Sequence, residues 1–237
     1  MNLFVLKHYK LSTGAGWIYR NRTEGELNCY SEMRKIAEHS GRKHINDLDD
    51  VIVFTDTVDD IQSAFQLNFS QLHQLWSEGH SVFYCDLDTI VFRPISPFSL
   101  PTYSLFNYAN RERSQYDKTN DRMIDPYLNC GVRYQPATMK QSTWELGFEL
   151  WERTTGTVWD YEQMVYNYML QAEVDDPHTT INPRMNYLIH EASYEAYKNV
   201  RVNSGIPPLW AFVLHFQASR ATEERLEMMR ATWCIDD

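Results

Sequence analysis

Ser81-Val82-Phe83-Tyr84-Cys85-Asp86-Leu87-Asp88-Thr89-Ile90-Val91-Phe92 sets two carboxylates between two apolar runs. Ser81 to Cys85 is aromatic and β-branched, follows Gly79, and predicts a buried strand. Carboxylates flanked by apolar residues are costly to bury unless something positive sits beside them. On an extended backbone, residues i and i+2 point the same way, so Asp86 and Asp88 are expected to aim at one point. A divalent cation meets that demand, because Mg²⁺ or Mn²⁺ takes one or two protein carboxylates and completes its shell with substrate phosphates. Two expectations follow. One is a metal–diphosphate site at the carboxyl end of a central strand. The other is a strand that ends in a polar turn, with Asp88 capping the next element.

Outward from this stretch, the chain alternates strands and helices. Asn2 to Leu6 predicts a first strand. Tyr30 to His39 carries helical spacing at Met33, Ile36 and Ala37 and is expected to end near Gly41. Val51 to Phe54 predicts a second buried strand. Phe65 to Glu78 predicts a helix with Phe69, Leu72, Leu75 and Trp76 on one stripe, closed by Gly79. The order strand–helix–strand–helix–strand predicts an α/β fold with a mixed, mainly parallel central sheet flanked by helices. Ligands of such sheets sit beyond the carboxyl ends of the strands. Asp86 and Asp88 fall there, and Lys7, Tyr9 and Asp56 are expected to gather with them.

The second half is less regular. Tyr103 to Tyr108 and Leu128 to Tyr134 are expected as strands, the latter containing Gly131. Asn110 to Pro126 is polar and reads as a loop. Thr143 to Arg153 and Tyr161 to Gln171 predict helices, Ala211 to Phe216 a late strand, and Thr222 to Thr232 a final amphipathic helix. The 237 residues are expected as one domain, with 1–100 as a nucleotide-binding half and 101–237 as a donor-sugar and acceptor half.

Composition excludes several classes. Hydrophobic residues make up 43% and charged residues 23%, the balance of a globular protein. A net charge of −10 argues against a nucleic-acid partner, since phosphate neutralisation needs clustered Lys and Arg. No run approaches the ~18 apolar residues of a spanning helix. Met1 to His8 is charged too soon for a signal peptide, so the expected location is cytoplasmic. Cys29, Cys85, Cys130 and Cys234 have no Cys-x-x-Cys spacing and are expected as reduced thiols. Gly14-Ala15-Gly16-Trp17 lacks the third Gly of a dinucleotide fingerprint.

Three further segments carry candidate chemistry. In Asn129-Cys130-Gly131-Val132 a Gly interrupts a strand-like run, marking either a close approach or a bulge. In Asp160-Tyr161-Glu162-Gln163-Met164-Val165-Tyr166-Asn167, Gln163 and Asn167 share a helix face. There Asp160 reads as an N-cap and Glu162 as a first-turn acid. Leu214-His215-Phe216-Gln217-Ala218-Ser219-Arg220 ends an apolar run in a His, which is either a core residue or a partner of the two Asp.

Taken in order, these blocks resemble the GT-A class of nucleotide-sugar glycosyltransferases, and within it the glycogenin/galactosyltransferase-like branch. Phe83 to Val91 is similar to that branch's Asp-x-Asp strand. Asn129 to Val132 is similar to its Asn-x-Gly-Val strand, and Glu162 to Asn167 to its Asp-Gln-x-x-x-Asn helix. His215-Phe216 with Arg220 is similar to its late His-Phe segment followed by a Lys. Together the blocks span roughly residues 50 to 220.

The resemblance implies a GT-A fold and transfer of a hexosyl group from a nucleotide sugar, by default a UDP-sugar, to a hydroxyl acceptor. It implies Asp86, Asp88 and His215 as ligands of Mn²⁺ or Mg²⁺, and Arg220 near the β-phosphate. Asn129, Gly131, Glu162 and Gln163 would line the donor-sugar pocket. Glu162 or Asp160 would serve as base on the acceptor if the enzyme inverts, although the closest resemblance leans towards retention. Nucleobase contacts at Lys7, Tyr9 and Asp56 follow from position alone. The chain departs from the pattern at Glu162, where relatives carry Asp, and at Gln71, where they often carry Lys. It also lacks the Lys-Pro-Trp ending.

Two alternatives stand beside this reading. A haloacid-dehalogenase-type phosphatase also uses an Asp-x-Asp after a strand, but wants Thr or Val four residues past the first Asp, where this chain has Ile90. A catalytically silent nucleotide-sugar-binding module would keep the same fold.

Overall fold

Strand β1 (Asn2–Lys7) buries Leu3 and Val5 in one apolar cluster and Phe4 and Leu6 in another, as a strand covered on both faces must. The computed structural model describes residues 1–12, 24–106, 113–117, 122–153, 158–173, 183–188, 211–216 and 222–233. After β1 come β2 (Lys10–Leu11), α1 (Glu24–His44), β3 (Asp50–Phe54), β4 (Thr57–Val58) and α2 (Ile61–Ser77). Then follow β5 (Ser81–Cys85), β6 (Thr89–Val91), β7 (Ser104–Leu105), β8 (Arg113–Asp117), β9 (Arg122–Tyr127) and β10 (Val132–Gln135). The last elements are α3 (Gln141–Glu152), α4 (Val158–Glu173), β11 (Tyr187–Leu188), β12 (Val213–His215) and α5 (Thr222–Thr232).

The central sheet has five strands in the order β3-β1-β5-β10-β7. Its first half, β3-β1-β5, is parallel, while β10 runs antiparallel to both β5 and β7. The fold is therefore α/β with a mixed sheet, flanked among the described residues by five α-helices. On one face, Val82 and Tyr84 of β5 join Phe69 of α2, Trp144 of α3 and Val165 and Tyr166 of α4. On the other, Phe83 and Cys85 pack with Ala37 of α1. A three-stranded sheet, β11-β12-β6, sits under α1 and α5, with Ile90 and Leu214 in a third cluster beside Met33 and Met229. No helix among the described residues is long and apolar enough to cross a membrane.

Several local expectations change. Helix α1 runs through Gly41 instead of stopping there, because that position packs on Phe4: a Cβ would lie 2.2 Å from the Phe4 ring. Among the described residues of 110–126 the expected plain loop is replaced by strands, since β8 and β9 pair antiparallel; 110–112 and 118–121 lie outside the described residues. The alternation of β9 is visible in exposed Met123, buried Ile124 and exposed Asp125, and Pro126 falls at a break in register, where no ladder N–H is required. The strand expected from Leu128 begins only at Val132. Side chains of α4 take the earlier backbone groups: Leu128 N–H donates to Asn167 Oδ1 at 2.9 Å, and Cys130 N–H to Gln163 Oε1 at 3.3 Å. The strand expected over Tyr103–Tyr108 is Ser104–Leu105 among the described residues. Helix α4 starts at Val158, so Asp160 lies within its first turn and is not the N-cap.

Candidate metal centre at the carboxyl edge of the sheet

Parallel β1, β3 and β5 end on one edge, and their exits carry Lys7, Asp56 and Asp86. Asp86 and Asp88 do not converge by strand alternation. The chain turns directly after β5, with the Thr89 hydroxyl donating to Asp86 O at 2.7 Å, and resumes as β6. Asp86 N–H is fixed by Gly131 O at 2.7 Å. Strand β12 pairs antiparallel with β6, opposing His215 to Thr89, and Phe216 N–H donates to Asp88 O at 2.8 Å. This register delivers the imidazole to both carboxylates. His215 Nε2 lies 3.3 Å from Asp88 Oδ1 and 3.9 Å from Asp86 Oδ2.

The three side chains differ in exposure: 33% for Asp86, 13% for Asp88 and 3% for His215. Burial pushes the Asp86 carboxyl up, with Asp88 and Glu162 adding to it against Lys7 and His215. Burial also disfavours the Asp88 charge, but His215 and Arg225 outweigh it and hold that carboxyl at about 2. His215 is raised: desolvation opposes its charge, and the neighbouring Asp88 and Asp86 overrule it. The Arg225 guanidinium, from α5, donates to Asp88 Oδ2 at 2.7 Å.

The donor set suits a divalent cation. One ligand atom from each of Asp86, Asp88 and His215 lies within 4.8 Å of the others; carboxylate oxygens suit Mg²⁺ and Mn²⁺, and an imidazole suits the first-row transition ions. His215 Nδ1 faces Asn186 Oδ1 at 3.1 Å. The Asn186 amide donates to Phe106 O at 2.7 Å and Asn129 Oδ1 at 3.2 Å, so its oxygen is an acceptor and the imidazole donates from Nδ1. Nε2 is thereby the nitrogen turned to the carboxylates, as a metal-ligating His requires. Gly131 leaves the space: a Cβ there would lie 2.4 Å from Asp86 Oδ2 and 2.6 Å from His215 Cε1.

The other sequence-predicted residues sit around this group. Asn129 Oδ1 accepts from Gly131 N–H at 2.9 Å. Lys7 Nζ donates to both oxygens of Glu162, at 3.1 and 3.2 Å, and lies over the Phe65 ring. Asn68 Nδ2 also reaches Glu162 Oε1, at 3.5 Å. Tyr9 OH donates to Gln71 Oε1, and Gln71 Nε2 to Asp56 Oδ2 at 2.9 Å, which links Tyr9 and Asp56 through one amide. Arg220 and the Asp160 side chain lie outside the described residues.

Five residues here were not singled out from the sequence: Arg225, Tyr84, Asn186, Asn68 and Arg133. Arg225 stands on the buried stripe Thr222, Arg225, Leu226 and Met229, and a cation at a core position of a helix needs a buried counter-charge. Arg133 interrupts a buried central strand in the same way. Its guanidinium is sandwiched between the rings of Tyr84 and Tyr166, at 3.6 and 3.8 Å from their centroids.

No family model matches the sequence, and no curated protein matches it. Among solved structures, the crystal structure of a glycosyltransferase involved in the glycosylation of the major capsid of PBCV-1 matches with a TM-score of 0.55. The match covers 97% of this chain and 98% of that one at 15% sequence identity, and so establishes a shared fold. The chain has a glycosyltransferase-like fold, with the Asp86/Asp88/His215 group at the edge of its central sheet.

Proposed function

We propose that this chain is a metal-dependent glycosyltransferase that moves a hexosyl group from a nucleotide sugar, with UDP as the leaving group, to a hydroxyl acceptor. The observation that carries the reading is the convergence of Asp86, Asp88 and His215 at the carboxyl edge of the parallel strands, within a fold shared with a glycosyltransferase. These three residues would hold Mn²⁺ or Mg²⁺, which when bound supplies a Lewis acid for the charge on the departing diphosphate. Arg220, carried over from the resemblance, adds a cation beside the β-phosphate. Asn129, Gly131 and Gln163 line the donor-sugar pocket, and Lys7, Tyr9 and Asp56 face the nucleotide. Glu162 is 6% exposed and held by Lys7 and Asn68, and in this reading it forms part of the donor-pocket wall. There it accepts a hydrogen bond from a sugar hydroxyl or a proton from the acceptor; Asp160 is the second acid of that helix turn. Residues 1–237 act as one unit, with 1–100 binding the nucleotide and 101–237 the sugar and the acceptor.

A thermal-shift screen of nucleoside diphosphates and nucleotide sugars, with and without Mn²⁺, tests this reading. A ligand at about 100 times its Kd stabilises the native state by about 2.7 kcal/mol. In a chain of this length that is a rise of roughly 5–11 °C. The expected result is such a rise for one nucleotide sugar, dependent on Mn²⁺. No rise with any of them, alongside hydrolysis of a generic phosphate ester, would overturn it.

A further inference from the structure

Each of the three candidate ligands has its second polar atom engaged from outside the group. Tyr84 OH donates to Asp86 Oδ1 at 3.0 Å. Arg225 Nη1 donates to Asp88 Oδ2 at 2.7 Å, and its Nη2 to Tyr30 OH at 3.0 Å. Asn186 Oδ1 takes His215 Nδ1. Asp86 Oδ2, Asp88 Oδ1 and His215 Nε2 are left to face one another.

The outer partners are rigid. Tyr84 is fully buried, and its ring is stacked on Arg133, the residue directly opposite it on β10. Arg133 is fixed in turn by Cys130 O at 2.7 Å and Tyr166 OH at 3.0 Å. Arg225 is 7% exposed on a helix packed against α1. Neither donor can swing away without losing a buried partner.

We propose that Tyr84 and Arg225 are positioning residues that restrict Asp86 and Asp88 to one ligand oxygen each, making the site selective for a small six-coordinate cation over Ca²⁺. The inference rests on the metal-dependent reading above. Ca²⁺ takes six to eight oxygens and commonly binds a carboxylate through both of its oxygens. Here the second oxygen of each carboxylate already accepts a hydrogen bond, in one case from a guanidinium. Mg²⁺ and ions of similar demand need only one or two carboxylate oxygens, with substrate phosphate and water for the rest.

The test uses the full chain and bare metal ions. Mn²⁺ binding is followed by loss of the free-ion electron paramagnetic resonance signal, and Ca²⁺ is titrated as competitor. The variants are Tyr84→Phe, which keeps the ring stacked on Arg133 and removes only the hydroxyl, Arg225→Gln, and Arg225→Lys as the conservative control. The Mn²⁺-over-Ca²⁺ ratio is expected to fall about tenfold in Tyr84→Phe and Arg225→Gln, the scale of outer-partner effects on metal sites. Arg225→Lys is expected to retain most of the ratio. Melting curves in chelator establish that each variant is folded; should Arg225→Gln fail to fold, Tyr84→Phe decides alone. An unchanged ratio in folded Tyr84→Phe, with Mn²⁺ still bound by the wild type, would overturn the positioning role and leave the metal site standing. A wild type that binds no Mn²⁺ would overturn both.

Discussion

Gly131→Ala adds one methyl group at the most crowded point of the site. The backbone there is outside the left-handed region, since Gly79 is the glycine with positive φ among the described residues, so the substitution tests space and not conformation. The new Cβ would stand 2.4 Å from Asp86 Oδ2, 2.6 Å from His215 Cε1 and 3.0 Å from Asn129 Oδ1. To reach even 3.0 Å, the Asp86 oxygen must retreat by about 0.6 Å and the imidazole carbon by about 0.4 Å. Neither moves freely, because Asp86 is tied to Tyr84 and His215 to Asn186. Overpacking of this kind costs about 1–3 kcal/mol. In a chain of this length that lowers the melting temperature by roughly 2–12 °C. The displaced ligand oxygen should also weaken Mn²⁺ binding about tenfold or more. Calorimetric titration with Mn²⁺ and a melting curve in chelator measure the two effects separately. A variant with wild-type Mn²⁺ affinity would refute the placement of Gly131 against the ligands, and an unchanged melting temperature would refute the crowding.

Arg133→Met removes two ring stacks and two hydrogen bonds from a buried guanidinium, and should lower stability by about 3 kcal/mol in urea unfolding; a loss within 0.5 kcal/mol of zero would contradict it. Lys7→Met leaves the buried Glu162 carboxylate without its counter-charge, at about 3 kcal/mol, and Glu162→Gln in that background should recover most of the loss. Additive losses in the double-mutant cycle would mean that the pair is not coupled. Asp88, lowered from 3.8 to about 2, contributes about 2 kcal/mol that is present above pH 4 and lost as pH falls towards 2. His215, raised above 6.5, contributes stability that is full below that value and fades as pH rises through its folded value. Metal-free melting temperatures should therefore fall at both ends of the pH range, and in His215→Ala both falls should shrink, because His215 is also the main group that holds Asp88 low.

The sequence was most readable where local signals agree. Ser81–Cys85 and Thr222–Thr232 match the expected limits, the first because a dense apolar run follows a Gly. Gly41 looked like a helix stop, but its small size is used for contact with Phe4 from another element, which spacing does not encode. The pairing of β8 with β9 was missed because the segment reads as polar overall and Ile124 is a single buried apolar residue between exposed Met123 and Asp125. The two carboxylates meet across a polar turn closed by Thr89, as the second expectation had the strand end, and not along the extended backbone of the first. Arg225 meets Asp88 across 137 residues, and Asn186 meets His215 through a fold that no motif announces. Both are partners that only the tertiary structure brings within reach.

The most direct test is anomalous diffraction from crystals grown with Mn²⁺ and UDP, collected at the manganese edge. The account predicts one strong peak bounded by Asp86 Oδ2, Asp88 Oδ1 and His215 Nε2, with diphosphate density against its open side. Nucleotide bound with no manganese peak among those three atoms would contradict it.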